Sequence, residues 1–109
     1  MSQRIPTLVL GGTGYVAGEL LRLIAGHPHL ELKAILSDSQ PGELVSKAFP
    51  HLASVYPQLQ YSSLEQVTQL VTTLPKTAIL AAAPHGVSHK LLDGLLAAAE
   101  QAGTHPVVV

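Results

Sequence analysis

The amino-acid sequence predicts an α/β fold built on a doubly wound parallel sheet. Short apolar runs typical of buried strands alternate along the chain with longer segments in which apolar residues recur at helical spacing. Parallel strands need a crossover between them, and a helix usually supplies it, so this alternation favours parallel pairing. We expect a single domain over residues 1–109, the whole of the sequence.

The first strand, first helix and second strand are predicted at the start of the chain. Thr7 to Leu10 form an apolar run that a glycine ends, which indicates a buried strand. A helix is predicted from Gly14 to Ala25, and Gly26 stops it. The segment "LELKAIL", residues 30–36, is predicted as the second strand.

The middle of the chain is predicted to be less regular. Residues 37–57 contain several prolines and are expected to form a loop, followed by a short strand near Leu59 to Tyr61. Ser62 and Glu65 have the spacing of a capping box at the start of a helix that Pro75 ends.

The last third of the chain repeats the strand–helix order. Thr77 to Ala82 are apolar enough for a strand covered on both faces. A helix is expected over residues 88–102, with Ser88 as its N-cap and Gly103 as its C-cap. Residues 107–109 begin another strand, so we expect the sequence to be a fragment of a longer protein.

Composition excludes several classes of function. The net charge is −1 and the six Lys and Arg residues are scattered, so neither nucleic acid nor a membrane is expected as a partner. No cysteine is present, which excludes disulfides and suits a reducing compartment. The first residues lack the apolar region of a signal peptide, and we expect a cytoplasmic protein.

The glycine cluster after the first strand predicts a dinucleotide site. Gly11, Gly14 and Ala17 follow a G-x-x-G-x-x-[GA] pattern, a variant of the Rossmann-type NAD(P)-binding fingerprint. Gly11 lets the chain turn, Gly14 leaves room for a pyrophosphate, and Ala17 lets helix and strand approach closely. Because the cluster follows a strand and opens a helix, we favour this interpretation over a plain corner.

The loop after the second strand bears on the choice between NAD and NADP. Asp38 has roughly the spacing of the acidic residue that binds the ribose hydroxyls of NAD. Ser37 and Ser39 could instead donate hydrogen bonds to the 2′-phosphate of NADP. A solvated turn is an equal alternative for Asp38, so this loop leaves the cofactor open.

The segment "AAAPHGVSHK" follows the strand expected beside the first one. Pro84 and His85 should therefore face the glycine cluster across the cofactor, with His85 either at its nicotinamide end or exposed in a helix-entry loop. His85 and His89 are spaced as in helical zinc sites. Gly86 stands where the protease pattern needs Glu, so no metal is predicted.

Three segments resemble the N-terminal part of N-acetyl-gamma-glutamyl-phosphate reductases: "GGTGYVAGELLRLIAGHPHLEL", "KAFPHLA" and "AAAPHGVSHKLL". The residues that match the first family motif are Gly11, Thr13, Gly14, Tyr15, Glu19 and Leu20. The Gly-Ala pair of the family is reversed here, as Ala17 and Gly18.

This resemblance implies NADPH-dependent reduction of an acyl phosphate to N-acetylglutamate semialdehyde, a step of arginine biosynthesis, by a two-domain subunit in a homo-oligomer. In the family a cysteine thiolate attacks N-acetyl-gamma-glutamyl phosphate. This sequence holds no cysteine, so it supplies no catalytic residue of that kind and the catalytic domain would follow residue 109. The implied cofactor-binding residues are Gly11, Thr13, Gly14, Tyr15 and Val16 for the pyrophosphate, Ser37 and Ser39 for the 2′-phosphate, and Pro84 and His85 for the nicotinamide side.

Three alternatives stay open. An aspartate-semialdehyde dehydrogenase would share fold and chemistry, although Tyr15 and the "PHGVS" segment favour the first family. A non-catalytic dinucleotide-sensing module of the atypical short-chain reductase type can also carry a run like "GGTGYV". A purely structural or interaction domain would have no affinity for dinucleotides.

Overall fold

The structure is a computed structural model that describes residues 4–11, 15–37, 41–82 and 85–108, with the backbone alone for residues 15 and 85–89. Within these ranges the strands are β1 (Ile5–Leu10), β2 (Leu30–Leu36), β3 (Ala78–Ala81) and β4 (Val107–Val108). The helices are α1 (Tyr15–Ala25), α2 (Val45–Ala48), α3 (Leu64–Thr73) and α4 (His85–Ala102), and Pro50–Leu52 form one 3₁₀ turn.

The strands form one parallel sheet in the order β2-β1-β3-β4. The chain builds outward from β1 to β2 and then crosses back to place β3 on the other side of β1. Helix α1 packs on one face of the sheet, and α3 and α4 pack on the opposite face. This arrangement confirms the predicted doubly wound α/β fold.

Consecutive residues of β1 face opposite sides of the sheet, and the last four, Thr7 to Leu10, are buried. Leu8 and Leu10 pack with α3 and α4, while Val9 packs with α1. None of the three is accessible to solvent. Because helices cover both faces, the strand is a continuous apolar run without polar alternation.

The prediction of a strand near Leu59 to Tyr61 is wrong. These residues do not join the sheet; they pair antiparallel with residues 42–45, through bonds that include Tyr61 N to the Glu43 carbonyl at 2.9 Å. The predicted loop over residues 37–57 also contains α2 and the 3₁₀ turn. Since this segment must cross the edge strand β2 to reach α3, it folds back on itself and adds no further strand.

The capping box of α3 lies one residue later than predicted. The N-cap is Ser63, whose hydroxyl accepts from Gln66 N while the Gln66 side chain accepts from Ser63 N at 2.9 Å. Ser62 cannot cap because its backbone is paired with β2, through Ser62 N to the Ile35 carbonyl at 2.8 Å. The pair Ser62 and Glu65 is therefore wrong as a capping box.

Helix α4 begins three residues before the predicted N-cap. It starts at His85, so Ser88 lies inside the helix and is not its cap. Once the apolar stripe of the helix is ordered, each added residue gains a backbone hydrogen bond, and this outweighs the low helix propensity of Gly86. The predicted C-terminal cap is confirmed, since Gly103 follows the helix with φ +81°.

Candidate functional site

The carboxyl ends of three strands lie level with one another. Leu10 pairs with Leu36 on one side and with Ala81 on the other. The next residues stay attached to this edge: Gly11 N donates to the Leu36 carbonyl at 3.1 Å, and Ala82 N donates to the Leu10 carbonyl at 2.8 Å. The connections that leave β1, β2 and β3 therefore start from one place, where open α/β sheets bind their ligands.

Gly11 turns the chain out of β1 with φ +81°. A side chain strongly disfavours this left-handed conformation, so the predicted reason for a glycine here is confirmed. The amide of Gly11 is already bonded to β2. Gly11 thus contributes the shape of the turn, and any phosphate must be held by amides further along.

The first turn of α1 lies four residues beyond Gly11 and begins at Tyr15. Amides in the first turn of a helix have no acceptor within the helix, and the helix dipole makes this end attractive to anions. Val16, in this first turn, is 55% exposed. Ala17 is fully buried in the cluster that joins α1 to the sheet, as expected of a residue at the predicted close contact between helix and strand.

Helix α1 is fixed from its other side by the segment that follows β2. Gly18 is buried under the ring of Phe49, and a Cβ atom on Gly18 would lie 2.8 Å from Phe49 Cε1. The Tyr56 hydroxyl donates to the Leu21 carbonyl at 3.0 Å, and burial raises the pKa of Tyr56. Sequence reasoning missed these supports, although Phe49 belongs to the quoted "KAFPHLA" segment.

The end of β2 continues into Ser37, which is only 4% exposed. Its amide donates to the Ser62 carbonyl at 3.1 Å, which ties this residue to the start of α3. Ser37 is therefore a buried residue at the carboxyl end of β2. Asp38 and Ser39 lie outside the described residues, so the predicted contacts that would distinguish NAD from NADP are not placed by the structure.

The other predicted site residues are placed in part. Thr13, Gly14 and Pro84 lie outside the described residues, and the side chains of Tyr15 and His85 are likewise not described. The backbone of His85 opens α4 shortly after Ala82 at the same edge of the sheet. The N-termini of α1 and α4 are thus brought to the carboxyl ends of neighbouring strands, and both favour an anion.

No helix in the described part of the chain is both long and apolar enough to cross a bilayer. Among the same residues, no three His, Cys, Asp or Glu side chains are grouped as metal ligands would be.

Comparison with known protein families gives a second kind of evidence, beside the geometry, about this site. The model of the family described as "Semialdehyde dehydrogenase, NAD binding domain" matches residues 7–104, from β1 to the turn after α4. The chain belongs to this family. The fold and the predicted binding of a nicotinamide dinucleotide are thereby confirmed.

Two curated relatives of this semialdehyde dehydrogenase NAD-binding domain have the same name. N-acetyl-gamma-glutamyl-phosphate reductase of Ectopseudomonas mendocina is 42% identical over 90 residues, covering 83% of this chain and 25% of the relative. The enzyme of the same name from Oceanobacillus iheyensis is 37% identical over 89 residues, covering 81% and 24%. The resemblance noted in the sequence is confirmed, and the chain spans about a quarter of the length of these curated relatives.

Solved structures support the fold of the NAD-binding domain. An oxidoreductase from Sinorhizobium meliloti superposes with a TM-score of 0.58 and 20% identity, over 96% of this chain and 28% of that one. At this level of identity the likeness concerns the fold alone.

Proposed function

We propose that this chain is the cofactor-holding part of an N-acetyl-gamma-glutamyl-phosphate reductase and binds NADPH. The observation that carries the proposal is the left-handed Gly11 at the common edge of β2, β1 and β3, with α1 beginning four residues later at Tyr15. Such a turn needs a glycine and presents helix amides to a diphosphate. The names of the relatives supply the substrate class.

The fit of a dinucleotide follows from the donors at this edge. First-turn amides of α1 at Tyr15 and Val16 would hold the pyrophosphate, with Thr13 and Gly14 completing the turn. The adenosine end would lie over Ser37 and Ser39, where serine hydroxyls can donate to a 2′-phosphate. The remaining residues assigned to the nicotinamide side are Pro84 and His85, at the start of α4.

The bound cofactor would supply a hydride, and the residues of this chain would bind and orient it. No cysteine occurs in the sequence, so the thiolate attack on the acyl phosphate requires residues outside these 109. We propose that residues 1–109 are the dinucleotide-binding domain, that a catalytic domain follows residue 109, and that the full-length enzyme is a cytoplasmic homo-oligomer.

Separate titrations of NADPH and NADH against the chain test the cofactor. We expect NADPH to bind at least about tenfold more tightly, since one added charge-assisted contact to a 2′-phosphate is worth about 1.5–3 kcal/mol. Isothermal calorimetry or cofactor fluorescence gives both dissociation constants. Equal affinities would remove the assignment to NADP, and absence of binding to either would remove the function.

Gly14→Val tests the place of binding. The added side chain would occupy the space of the pyrophosphate, so we expect NADPH affinity to be lost while the fold is kept. Gly26→Val is the matched control, because Gly26 follows the far end of α1 and nothing lies within 4 Å of an added Cβ. Unchanged NADPH affinity in Gly14→Val would show that the glycine cluster only connects the strand to the helix and does not bind the pyrophosphate.

A further inference from the structure

The contact between Gly18 and Phe49 joins the predicted cofactor helix to the irregular segment that follows β2, residues 41–62. We propose that this contact positions the first turn of α1 for the dinucleotide, which makes Gly18 a positioning residue for binding. The inference rests on the proposed function, because it assigns a role toward the ligand that α1 would hold. The residues themselves lie behind the site and touch no ligand.

The contact leaves no room for a side chain on Gly18. A Cβ atom there would lie 2.8 Å from Phe49 Cε1 and 3.0 Å from Phe49 Cδ1, closer than carbon atoms pack. The φ angle of Gly18 is not positive, so the backbone conformation itself does not require glycine. The position of the Phe49 ring, and not the backbone conformation, therefore favours glycine at this position of α1.

The ring of Phe49 is held in place by its own surroundings. Phe49 is 8% exposed and packs in the same buried cluster as Val45 and Leu52. Its backbone is fixed on both sides, by Phe49 N to the Val45 carbonyl at 3.0 Å and by Leu52 N to the Phe49 carbonyl at 2.9 Å. The edge of the ring also meets His51, with centroids 6.2 Å apart. These contacts oppose movement of the ring, so we expect an added methyl group on Gly18 to displace α1.

Displacement of α1 at Gly18 reaches the proposed phosphate site within one turn. Gly18 is the fourth residue of the helix, and 3.6 residues make one turn. Three residues further on, the Tyr56 hydroxyl bonds the Leu21 carbonyl at 3.0 Å, so the same segment holds the helix at a second point. The same irregular segment thus contacts α1 at two points one turn apart, and this is why we expect it to position the helix.

Gly18→Ala tests the positioning role with two ligands. NADPH uses the pyrophosphate site, whereas adenosine 2′-monophosphate carries the 2′-phosphate without a pyrophosphate. We expect NADPH affinity to fall about tenfold or more, and adenosine 2′-monophosphate affinity, followed by NMR titration, to stay within about twofold. Gly94→Ala is the matched control, because Gly94 is also inside a helix and nothing lies within 4 Å of its added Cβ.

The double variant Gly18→Ala/Phe49→Leu supplies the rescue. Leucine lacks the outer ring atoms, so NADPH affinity should return to within about threefold of Phe49→Leu alone. NADPH affinity that is unchanged in Gly18→Ala, or not restored in the double variant, overturns the positioning role. An equal loss for both ligands also overturns it, since that result describes a general loss of structure.

Two further outcomes are kept apart. If circular dichroism shows that Gly18→Ala does not fold, Tyr56→Phe tests the proposal instead, because it removes one hydroxyl and keeps the ring. NADPH binding that is about two- to fivefold weaker in Tyr56→Phe supports the proposal, and unchanged NADPH binding overturns it. If the unaltered chain binds no NADPH, the proposed function itself fails, and the positioning role falls with it.

Discussion

The two faces of the sheet are closed in different ways. On the helical face, α3 and α4 cover the sheet with regular apolar stripes, and the buried residues include Val67, Val71 and Leu95. The opposite face, here called the mixed face, is covered by α1 together with residues 41–62, whose buried residues include Phe49 and Tyr61. The proposed cofactor helix lies on the mixed face, beside the less regular part of the chain.

Each face also has a side chain that bonds the backbone of a helix from a distant segment. On the helical face, the Thr104 hydroxyl donates to the Val71 carbonyl at 2.7 Å. On the mixed face, the Tyr56 hydroxyl donates to the Leu21 carbonyl at 3.0 Å. On each face, therefore, a distant hydroxyl holds the backbone of a helix. On the mixed face that helix is α1, whose first turn is the proposed phosphate site.

The largest effects are expected from truncating one leucine on each face. Leu95 and Leu21 are at most 1% exposed, so Leu95→Ala and Leu21→Ala should each lower the free energy of unfolding by about 3 kcal/mol. Urea denaturation measures both losses. NADPH affinity of the folded chain should fall more in Leu21→Ala, because Leu21 lies closer to the start of α1 than Leu95 lies to the start of α4. Equal NADPH affinity in the two variants would erase the functional difference between the faces.

The next effect compares two glycines with the same backbone conformation. Gly11 and Gly103 both have φ +81°, one at the proposed site and one behind α4. Alanine at either should lower the free energy of unfolding by about 1–2 kcal/mol, since the left-handed region strains any side chain. Thermal unfolding measures this cost, and we expect only Gly11→Ala to weaken NADPH binding as well. A similar loss of affinity in Gly103→Ala would show that strain anywhere in the fold suffices.

The helical face could be predicted from the sequence because its residues repeat with a period. The apolar residues of α3 and α4 recur at helical spacing, and Gly103 and Pro75 punctuate the ends. The Gly11 turn was predictable for a similar reason, since a glycine cluster between a strand and a helix is a local signal. Local signals of this kind sufficed for the fold class and for part of the site.

The mixed face could not be predicted in the same way. Phe49 and Tyr56 act through contacts with α1 that lie more than thirty residues away in sequence, and no period marks them. The wrong prediction of a sheet strand near Leu59 to Tyr61 has the same origin, because these residues pair with residues 42–45 and not with the sheet. A single sequence does not encode these partners in any local pattern.

A smaller effect is expected from the hydrogen bond on each face. Tyr56→Phe and Thr104→Val should each lower the free energy of unfolding by about 1 kcal/mol at neutral pH. The two should separate at alkaline pH. Burial raises the pKa of Tyr56, so its contribution is complete below the unfolded value of about 10 and is lost as pH rises through the folded value.

Urea denaturation between pH 8 and about 11 measures this separation. Tyr56→Phe should lose less stability over that range than the parent chain, and Thr104→Val should follow the parent, since threonine does not titrate. Burial also raises the pKa of Tyr61, so part of the alkaline loss stays in both variants. Identical alkaline profiles for all three proteins would contradict the buried, protonated hydroxyl of Tyr56.

The smallest effect lies at the boundary between the two faces, which falls between Ser62 and Ser63. Ser62 belongs to the mixed face because its backbone pairs with β2, and Ser63 opens the helical face as the N-cap of α3. Ser63→Ala should therefore lower the free energy of unfolding by about 0.5–1 kcal/mol, and Ser62→Ala by less than about 0.3 kcal/mol. Thermal unfolding of the two variants compares them directly. The reverse order would place the cap at Ser62, shift the start of α3 by one residue, and move the boundary between the faces with it.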